Sequence, residues 1–341
     1  MEQHLDKVLI TGGAGYVGAH VAVALLDAGW PVAILDDFSN SHPGVLARLA
    51  RITGKVPELY QGDVRDRALL RRALAHGVAT VVHCAGLKAV AESVAQPLRY
   101  YGANIDGALA LLDAMREAGV HRVVFSSSAT VYGEPRAVPI TEDHPLDPQS
   151  PYGWTKRIVE QILRDACDAD GRLAAAALRY FNPAGAHPSG IIGESPSGTP
   201  NNLMPIVAEV ALGQRPRLDV YGDDYPTPDG TPVRDYVHVE DIARAHVDAV
   251  RALRAHVGFR AVNLGTGRGH SVLEVLAAYR EASGQPLPHR IAPRRPGDVA
   301  ACYADASAAR AWLGWEARHD LRTMCRDAWN FARSRDARAA A

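Results

Sequence analysis

The sequence predicts an α/β fold with a doubly wound parallel sheet, followed by a smaller, loop-rich mixed α/β lobe toward the C-terminus. Three observations support this prediction. A short apolar run near the N-terminus leads directly into a glycine-rich loop, apolar strands then alternate with helical stretches as far as residue 182, and Gly, Pro, Ser and Asn become frequent beyond that point. Alternating strands and helices form parallel sheets, whereas turn-rich composition indicates loops. We therefore predict two parts, 1–182 and 183–341, with some segments of the second returning to the first.

Composition and charge restrict the possible partners. The 341 residues carry a formal net charge of −1, and 47% of them are hydrophobic while 22% are charged. This balance gives no broad attraction to nucleic acid or to an anionic membrane. No apolar run approaches the roughly 20 residues that span a bilayer, and the first seven residues lack the basic and apolar regions of a signal peptide. We expect a cytoplasmic protein that binds neither nucleic acid nor a membrane.

Cysteine and histidine spacing does not indicate a metal site. The four cysteines are far apart and form no CxxC pair, and the 14 histidines are scattered along the chain. Structural metals in proteins are held by closely spaced pairs of such residues. We therefore expect no bound metal.

The first 36 residues have the pattern of a dinucleotide-binding unit. A buried strand at 7–11 leads into a glycine loop, a helix follows as far as Ala28, and a second strand at 32–35 ends in Asp36. The loop glycines are Gly12, Gly15 and Gly18. Such glycines let the backbone approach a pyrophosphate at a helix N-terminus, while the terminal acid accepts from a ribose hydroxyl. Because Asp36 and Asp37 together would repel a 2′-phosphate, NAD is favoured over NADP.

Further elements follow in the order expected for a doubly wound sheet. The predicted strands lie at 58–65, 80–88, 122–125 and 174–180, and a long helix runs from Pro97 to Ala118, where Gly119 stops it. In open α/β sheets ligands bind at the carboxyl ends of the strands. The strand at 122–125 runs into three serines, which we therefore expect to face the binding cleft.

The strongest candidate for chemistry is the pair Tyr152 and Lys156. It follows a proline-rich loop, and its spacing of four places both side chains on one face of a starting helix. An ammonium beside a phenol stabilises the phenolate, so we expect the tyrosine pKa to fall toward working pH and the phenol to act as a base. Ser128 is expected to bond both this tyrosine and a substrate oxygen.

The second part of the chain is predicted to be a lobe of loops, short strands and helices. The segment 201–205 leads a helix, the strands lie at 218–221 and 233–238, and the helices at about 240–254, 271–282 and 321–333. Residues 294–298 are expected in an exposed connection. Arg234 and Arg295 have the forked geometry that clamps a diphosphate.

Several longer motifs make the chain resemble the UDP-glucose 4-epimerases (UDP-galactose 4-epimerases) of the extended short-chain dehydrogenase/reductase family. The similarity runs from Lys7 to about Trp329. The motifs that carry it stand at 85–90, 126–133, 179–183, 201–205, 224–231 and 234–236. Sugar-nucleotide dehydratases of that superfamily carry a Thr-Asp-Glu set where this chain has residues 128–130, Ser-Ala-Thr, and this difference argues against dehydration.

The resemblance implies an NAD-binding Rossmann domain at 1–182, a UDP-sugar-binding lobe at 183–341, and 4-epimerisation of UDP-hexoses through a transient 4-keto sugar. NAD would be tightly bound and regenerated each turnover. Tyr152 would be the base, Lys156 would lower its pKa and hold the nicotinamide ribose, and Ser128 would bond the sugar 4-oxygen. A homodimer is implied, with the helices near 97–118 and 152–165 forming a four-helix bundle across the two-fold axis.

Individual positions carry over from this resemblance to both ligands. The implied cofactor-binding residues are Gly12, Gly15, Tyr16, Val17, Gly18, Asp36, Asp37, Asn40, Ser41, Asp63, Val64, Cys84, Ala85, Gly86, Lys88, Asn104, Ser128, Tyr152, Lys156 and Phe181. The implied substrate-binding residues are Lys88, Ser128, Tyr152, Asn182, Asn202, Leu203, Asp219, Val220, Tyr221, Arg234, Arg295, Asp298 and Cys302.

Two departures from the family pattern and two alternatives bear on specificity. Asp37 stands where asparagine is usual, which strengthens the preference for NAD. Cys302 stands where some members have a tyrosine that walls the sugar pocket, so we hypothesise that UDP-GlcNAc and UDP-GalNAc are also turned over. A sibling UDP-uronate or UDP-pentose 4-epimerase would share every catalytic residue. A non-catalytic NAD-binding module would need none of them.

Overall fold

The computed structural model describes residues 6–198, 200–295 and 297–339, in which strands and helices alternate through the first half. Pro296, which falls within the predicted exposed connection, lies outside the described residues. The strands are β1 (Lys7–Thr11), β2 (Val32–Asp36), β3 (Glu58–Gln61), β4 (Val78–His83), β5 (Arg122–Ser128), β6 (Ala174–Tyr180), β7 (Asn182–Ala184), β8 (Leu218–Tyr221), β9 (Val233–Arg234), β10 (Tyr236–His238), β11 (Gly258–Leu264), β12 (His270–Ser271), β13 (His289–Ala292) and β14 (Ala301–Cys302). The helices are α1 (Tyr16–Asp27), α2 (Val45–Thr53), α3 (Arg67–Leu74), α4 (Val90–Ala95), α5 (Pro97–Ala118), α6 (Pro151–Ala169), α7 (Leu203–Ala211), α8 (Val239–Ala252), α9 (Val272–Ser283), α10 (Ser307–Leu313) and α11 (Leu321–Ala339).

Seven parallel strands form the central sheet in the order β11-β6-β5-β4-β1-β2-β3. The predicted doubly wound parallel sheet is confirmed. The chain winds outward from β1 in both directions, so the carboxyl ends of β1 and β4 border a crevice where the strand order reverses. The carboxyl ends of β5 and β6 lie next to it, and these ends carry the candidate catalytic residues.

Helices cover both faces of this sheet because successive strand residues point to opposite sides. On β1, Val8 and Ile10 pack into a core shared with α1 and α8, whereas Leu9 packs into a second core with α3, α5 and α6. All three side chains are almost completely buried. Near-continuous apolar strands are expected where both faces of a parallel sheet are covered.

The C-terminal part builds a third core of its own. Helices α7, α9 and α11 enclose it together with β8, and Trp329 and Tyr279 are among its largest side chains. Three small sheets surround it, ordered β10-β7, β12-β9-β14 and β13-β8. Two elements from this half pack with the first half instead: β11 pairs with β6 at the edge of the central sheet, and α8 packs against α1 in the core they share.

Some predicted element boundaries were wrong. β3 ends at Gln61, because Gly62 adopts a φ of 151° that breaks the strand, and β4 ends at His83, so Cys84 to Lys88 form a loop. β5 continues through the three serines as far as Ser128. The elements α2, α3, α4, α10 and β11 were not predicted from the sequence. Within the described residues, no helix is long and apolar enough to cross a membrane.

Candidate active site

The glycine loop after β1 is shaped by its contact with the end of β4. Gly12 has a φ of 70°, and a Cβ atom there would lie 2.6 Å from the backbone nitrogen of Ala85. A Cβ at Gly18 would lie 2.1 Å from the carbonyl oxygen of Gly12. Gly15 caps α1 without any side-chain hydrogen bond in the described structure. The first N–H groups of α1 therefore remain available to an anion, as in other helix N-termini that bind phosphate.

The acid at the end of β2 is buried against this loop. One carboxylate oxygen of Asp36 accepts from the Ala14 N–H at 2.9 Å, and the other accepts from the Phe38 N–H at 2.9 Å and the Ser41 hydroxyl at 2.8 Å. Asp37 is exposed and accepts from Ser39. Asp36 thus stands at the edge of the crevice in the place where an adenosine ribose is held in dinucleotide-binding folds.

Other predicted cofactor residues are spread around the same crevice. Asp63 forms an ion pair with Arg65, and Val64 packs against α5. Asn104 is buried: its amide oxygen accepts from the Leu87 N–H at 2.8 Å, and its amide nitrogen donates to the Leu87 carbonyl at 3.0 Å and the Thr155 hydroxyl at 2.9 Å. Asn104 therefore holds the loop at 84–88 against α6.

A loop of the C-terminal lobe lies across the crevice. The Tyr16 hydroxyl donates to the Gly185 carbonyl at 2.7 Å, and the Asn40 amide oxygen accepts from the Ser197 hydroxyl at 3.1 Å. Phe181 is buried at the start of this loop. Two of the predicted cofactor positions, Tyr16 and Asn40, thus contact the loop that runs over them.

Helix α6 places the predicted catalytic pair. Ser150 caps it by accepting from the Gly153 N–H at 3.2 Å, and Pro151 occupies the first position, where its missing N–H costs nothing. Tyr152 and Lys156 are both buried, with 8% and 7% of their surface exposed. The structure therefore brings the pair to the carboxyl end of β5, as the spacing predicts.

The lysine ammonium is held by the neighbouring strand. Lys156 Nζ donates to the backbone oxygen of Ser126 at 2.8 Å, and it lies 4.8 Å from the centre of the Phe125 ring and 5.8 Å from the centre of the Tyr152 ring. Such positions over ring faces favour a cation. Lys156 thus bridges β5 and α6.

The serine hydroxyl at the end of β5 faces the tyrosine. Ser128 Oγ accepts from the Thr130 N–H at 3.2 Å and from the Thr130 hydroxyl at 3.0 Å. With both acceptor positions engaged, its own proton is free to be donated to the Tyr152 oxygen. That hydrogen bond favours the ionised phenol and lowers the Tyr152 pKa.

The expectation that Lys156 brings the Tyr152 pKa toward neutrality is wrong for the protein without its ligands. Burial raises the pKa of Tyr152 to about 12, and the hydrogen bond from Ser128 only partly opposes this rise. Burial also lowers the pKa of Lys156 to about 8, while the Glu160 carboxylate acts to raise it. Loss of water disfavours both charged forms, and the sequence pattern alone does not reveal this cost.

Predicted substrate residues fall into two groups in the lobe. Arg234 on β9 donates to Asp298 at 2.6 Å and to the Val299 carbonyl at 2.8 Å, and Cys302 on β14 pairs with Arg234 in register. The guanidinium of Arg295 lies 3.8 Å from the centre of the Tyr221 ring. These side chains form a partly exposed rim that offers cations and a ring face.

Two predicted substrate residues on β8 do not join this rim through their side chains. Val220 is 1% exposed and packs into the third core. Asp219 pairs with Arg290 across β8 and β13, at 2.6 Å. Alternation along the strand explains Val220, which points into the core while Tyr221 faces the rim. Asp219 shares the face of Tyr221, but its carboxylate is engaged by Arg290.

Glu194 is a site residue that the sequence analysis missed. Its carboxylate accepts from Lys88 Nζ at 2.7 Å and from the Asn202 amide nitrogen at 2.6 Å, so it joins two predicted substrate residues just before Leu203 begins α7. Asn182, also predicted, is exposed on β7. Glu194 is the only carboxylate between residues 185 and 205. A single acid in a neutral polar loop was the available signal.

Comparison with known proteins identifies the family. The profile of the NAD dependent epimerase/dehydratase family matches residues 8–265. The chain belongs to this family. It is 52% identical to the UDP-glucose 4-epimerase of Bacillus subtilis over 96% of this chain and 97% of that one. Among solved structures, the UDP-glucose 4-epimerase of Stenotrophomonas maltophila with bound NAD and formylated UDP-arabinopyranose has a TM-score of 0.96 at 50% identity, covering 98% of this chain and 100% of that chain.

A second solved relative supports the same assignment. The UDP-glucose 4-epimerase of Bifidobacterium longum, in complex with NAD+ and UDP, has a TM-score of 0.94 at 50% identity, covering 97% of this chain and 99% of that chain. The predicted resemblance to UDP-glucose 4-epimerases is confirmed, and with it the predictions of an isomerase and of an NAD cofactor.

The crevice of this family member fits NAD. Only glycine can occupy positions 12 and 18, where a Cβ atom would collide with backbone, and the uncapped N-terminus of α1 suits a pyrophosphate. Asp36 supplies a carboxylate for a ribose diol rather than a cation for a 2′-phosphate. Gly12, Gly15, Gly18 and Asp36 would hold the adenosine diphosphate end, and Lys156 lies at the far end of the same crevice.

The burial of Lys156 predicts that removing its charge stabilises the protein. A fall in the lysine pKa from 10.5 to about 8 means that folding penalises the ammonium by about 3 kcal/mol. This cost is fully present below pH 8 and is relieved as the pH rises toward 10.5. In NAD-free protein, Lys156→Met should raise the urea unfolding free energy at pH 7 and lose more than half of that gain at pH 9.5.

Lys7→Met, which removes a partly exposed lysine at the start of β1, is the matched control. Its effect should be small, because the ion pair that Lys7 forms with Glu58 is partly exposed to solvent. A gain from Lys156→Met that is the same at pH 7 and pH 9.5 would contradict the proposed burial cost.

Proposed function

We propose that this protein is an NAD-dependent 4-epimerase that interconverts UDP-glucose and UDP-galactose through a transient 4-keto sugar. The observation that carries the proposal is the buried set of Ser128, Tyr152 and Lys156 beside a crevice that fits NAD. Its relatives at about 50% identity over nearly the whole chain are UDP-glucose 4-epimerases.

The three side chains have separate roles in this proposal. NAD, when bound, would supply the acceptor and then the donor of the hydride at the sugar C4, and would bring a positive charge on its oxidised ring. Tyr152, as the phenolate, removes the proton from the 4-hydroxyl and later gives it back. Ser128 bonds the 4-oxygen and passes the proton along a short path. Lys156 holds the nicotinamide ribose and supplies a second positive charge.

The pKa values explain why the tyrosine needs such neighbours. In the ligand-free protein burial raises the pKa of Tyr152 to about 12, and the Lys156 ammonium lies 5.8 Å from the centre of its ring. Each positive charge brought close to the phenol favours its ionised form. Tyr152 is therefore almost entirely protonated and cannot accept a proton until the crevice is filled, which limits proton removal to the loaded enzyme.

The lobe would grip the nucleotide and leave the sugar free to turn. Arg234 and Arg295 both lie on its rim, and Arg234 is held in place by Asp298 and the Val299 carbonyl. A planar guanidinium binds phosphate oxygens in pairs. A firm hold on the diphosphate lets the 4-keto sugar rotate and present its other face to the cofactor.

The substrate range extends to N-acetylhexosamines in this proposal. Cys302 is half-buried on β14, directly beside Arg234 on β9. A thiol occupies far less space than a phenol, so the wall of the sugar pocket leaves room for a 2-N-acetyl group. Because one solved relative contains a formylated UDP-arabinopyranose, UDP-pentoses and UDP-uronates belong among the test substrates.

An activity assay with a tyrosine variant tests the proposal. Purified protein should contain NAD and interconvert UDP-glucose and UDP-galactose. Tyr152→Phe should lower kcat by at least about a thousandfold while NAD stays bound, and Ser128→Ala should lower it by about a hundredfold. Wild-type protein that carries NAD but epimerises no UDP-hexose, UDP-N-acetylhexosamine, UDP-pentose or UDP-uronate would instead support a non-catalytic NAD-binding module.

The N-acetyl activity is tested by enlarging one side chain. Cys302→Tyr should remove turnover of UDP-GlcNAc and UDP-GalNAc and leave UDP-galactose turnover within a fewfold of wild type. Cys302→Ser, which keeps the volume, should retain both activities. Equal loss of the two activities in Cys302→Tyr would refute the role of pocket space.

We also propose a homodimer in which α5 and α6 of each protomer form a four-helix bundle, with α4 packed beside them. These neighbouring helices carry most of the large apolar side chains that are exposed: Leu98 (84%), Val94 (63%), Val90 (45%), Leu109 (43%) and Trp154 (42%). Exposed large apolar side chains gathered on neighbouring helices indicate a protein interface, and two helices from each protomer packed across a two-fold axis form a four-helix bundle.

Sedimentation of a charged variant tests the dimer. Leu98→Glu should shift the wild-type dimer to a monomer because it places a carboxylate in the middle of the apolar patch. Val56→Glu alters another exposed apolar residue (76%), which follows α2, and should leave the dimer intact. A wild-type monomer at micromolar concentration would exclude this interface.

A further inference from the structure

A buried histidine from the C-terminal half contacts β5, the strand that carries Ser128. His246, on α8, is fully buried, and its Nε2 lies 3.2 Å from the Ser126 hydroxyl. Ser126 is the residue whose backbone oxygen accepts from Lys156 Nζ at 2.8 Å. The mechanism proposed above assigns no role to His246, although Ser126 alone links its ring to the catalytic lysine.

The hydrogen bonds of His246 define which ring nitrogen carries the proton. Its Nδ1 lies 2.9 Å from the carbonyl oxygen of Ile242, and a carbonyl can only accept, so Nδ1 is the protonated nitrogen. Burial lowers the pKa of His246 to about 4, so the ring is neutral at physiological pH. Nε2 is therefore an acceptor, and the Ser126 hydroxyl donates to it.

This donation sets the direction of the remaining hydrogen bonds. A serine hydroxyl has one proton and two acceptor positions. Cys84 Sγ lies 3.0 Å from Ser126 Oγ. With the serine proton committed to His246, the thiol donates to Ser126 Oγ. The serine hydroxyl is then held by hydrogen bonds to two side chains.

We propose that His246 is a positioning residue: as a neutral acceptor it fixes the Ser126 side chain and so holds the Ser126 carbonyl in place against the Lys156 ammonium. This inference rests on the proposed epimerase function for its kinetic consequences. Helix α8 thereby connects the C-terminal half to the catalytic lysine through Ser126 on β5.

The ionisable groups around Lys156 define what a change at His246 would alter. His83 and Cys84 face it from the end of β4, and Tyr152 and Glu160 from α6. Burial raises the pKa of the Cys84 thiol to about 11 and lowers that of His83 to about 3, so both are neutral. The Ser126 carbonyl is then a direct stabiliser of the ammonium, and loosening it should lower the Lys156 pKa.

Kinetics of His246→Leu in the NAD-loaded enzyme test the proposal. Loss of one hydrogen bond should lower kcat about fivefold with KM within twofold, and it should move the basic limb of the kcat–pH profile about half a pH unit lower. His246→Gln can still accept from Ser126 and should stay within twofold of wild type. A merely structural role would lower the melting temperature of both variants without moving the basic limb.

A second readout does not depend on activity. The chain has only four lysines, at positions 7, 55, 88 and 156, so lysine labelled with 13C at Cε gives few signals to assign. The Lys156 signal should titrate about half a pH unit lower in His246→Leu than in wild type. This titration distinguishes a failure of the His246 positioning role from a failure of the proposed epimerase function. It reports on the hydrogen bonds around Lys156 even in a protein that does not epimerise UDP-glucose.

Removal of the serine hydroxyl completes the test. Ser126→Ala should reproduce the His246→Leu shift, and the double variant should show no larger shift than either single one, since both interrupt the same connection. Ser126→Ala also keeps the proposal open to refutation where His246→Leu fails to fold. An unchanged basic limb and an unchanged Lys156 titration in the folded variants would overturn the proposal.

Discussion

The site depends on keeping a lysine charged where water has been removed. Lys156 is 7% exposed, and burial lowers its pKa to about 8. Within the described structure, one backbone oxygen at 2.8 Å and two aromatic faces receive the ammonium. The carbonyl belongs to β5 and the ammonium to α6, so the charge persists only while the sheet and the helix keep their relative position. The packing of the fold is thus a condition of the chemistry.

A fully buried ion pair maintains that position. Glu160 lies one turn beyond Lys156 on α6, and it accepts from Arg179 on β6 at 2.6 Å and from the Ser127 hydroxyl at 2.5 Å. Both charged side chains are 2% exposed. Removing one partner of such a pair typically costs about 3–5 kcal/mol, so α6 cannot shift along β5 and β6 without a large penalty. Glu160 also acts to raise the pKa of Lys156.

The three consecutive serines show how one strand end serves three purposes. Ser126 points toward α8 and His246, Ser127 toward α6 and Glu160, and Ser128 reaches Tyr152 at the crevice. Neighbouring residues on a strand face opposite sides of a sheet, so a run of three serines supplies both helix layers as well as the ligand. All three serines were predicted to face the cleft, whereas in the structure only Ser128 contacts Tyr152 there.

Local patterns allowed much of the fold and the catalytic pair to be predicted. The glycine loop with Asp36, the long helix between Pro97 and Gly119, and the spacing of Tyr152 and Lys156 each have a signature in a few adjacent residues. Helix α3 was missed because it is only 8 residues long, too short for a clear helical period, and the signal that starts it is a single cap, Asp66, which accepts from two backbone N–H groups. Strand β11 was missed because its place beside β6 depends on contacts from a distant part of the chain.

The sequence could not predict the properties that depend on burial, because no short pattern of residues determines how deeply a side chain is buried. The tyrosine–lysine spacing predicts which groups meet, but the pKa of each depends on how completely the fold excludes water from both. Glu194 is a similar case: a lone acid in a polar loop becomes important only because the lobe brings it to Lys88 and Asn202.

The two sides of the candidate site are built differently. The proposed cofactor side consists of strand ends, a buried helix and close backbone contacts that admit only glycine. The proposed substrate side consists of rim side chains, among which Arg295 stacks on the Tyr221 ring in an exposed connection. In the epimerisation proposed above, this difference would let the hydride donor keep its place while the sugar ring that receives the hydride changes face.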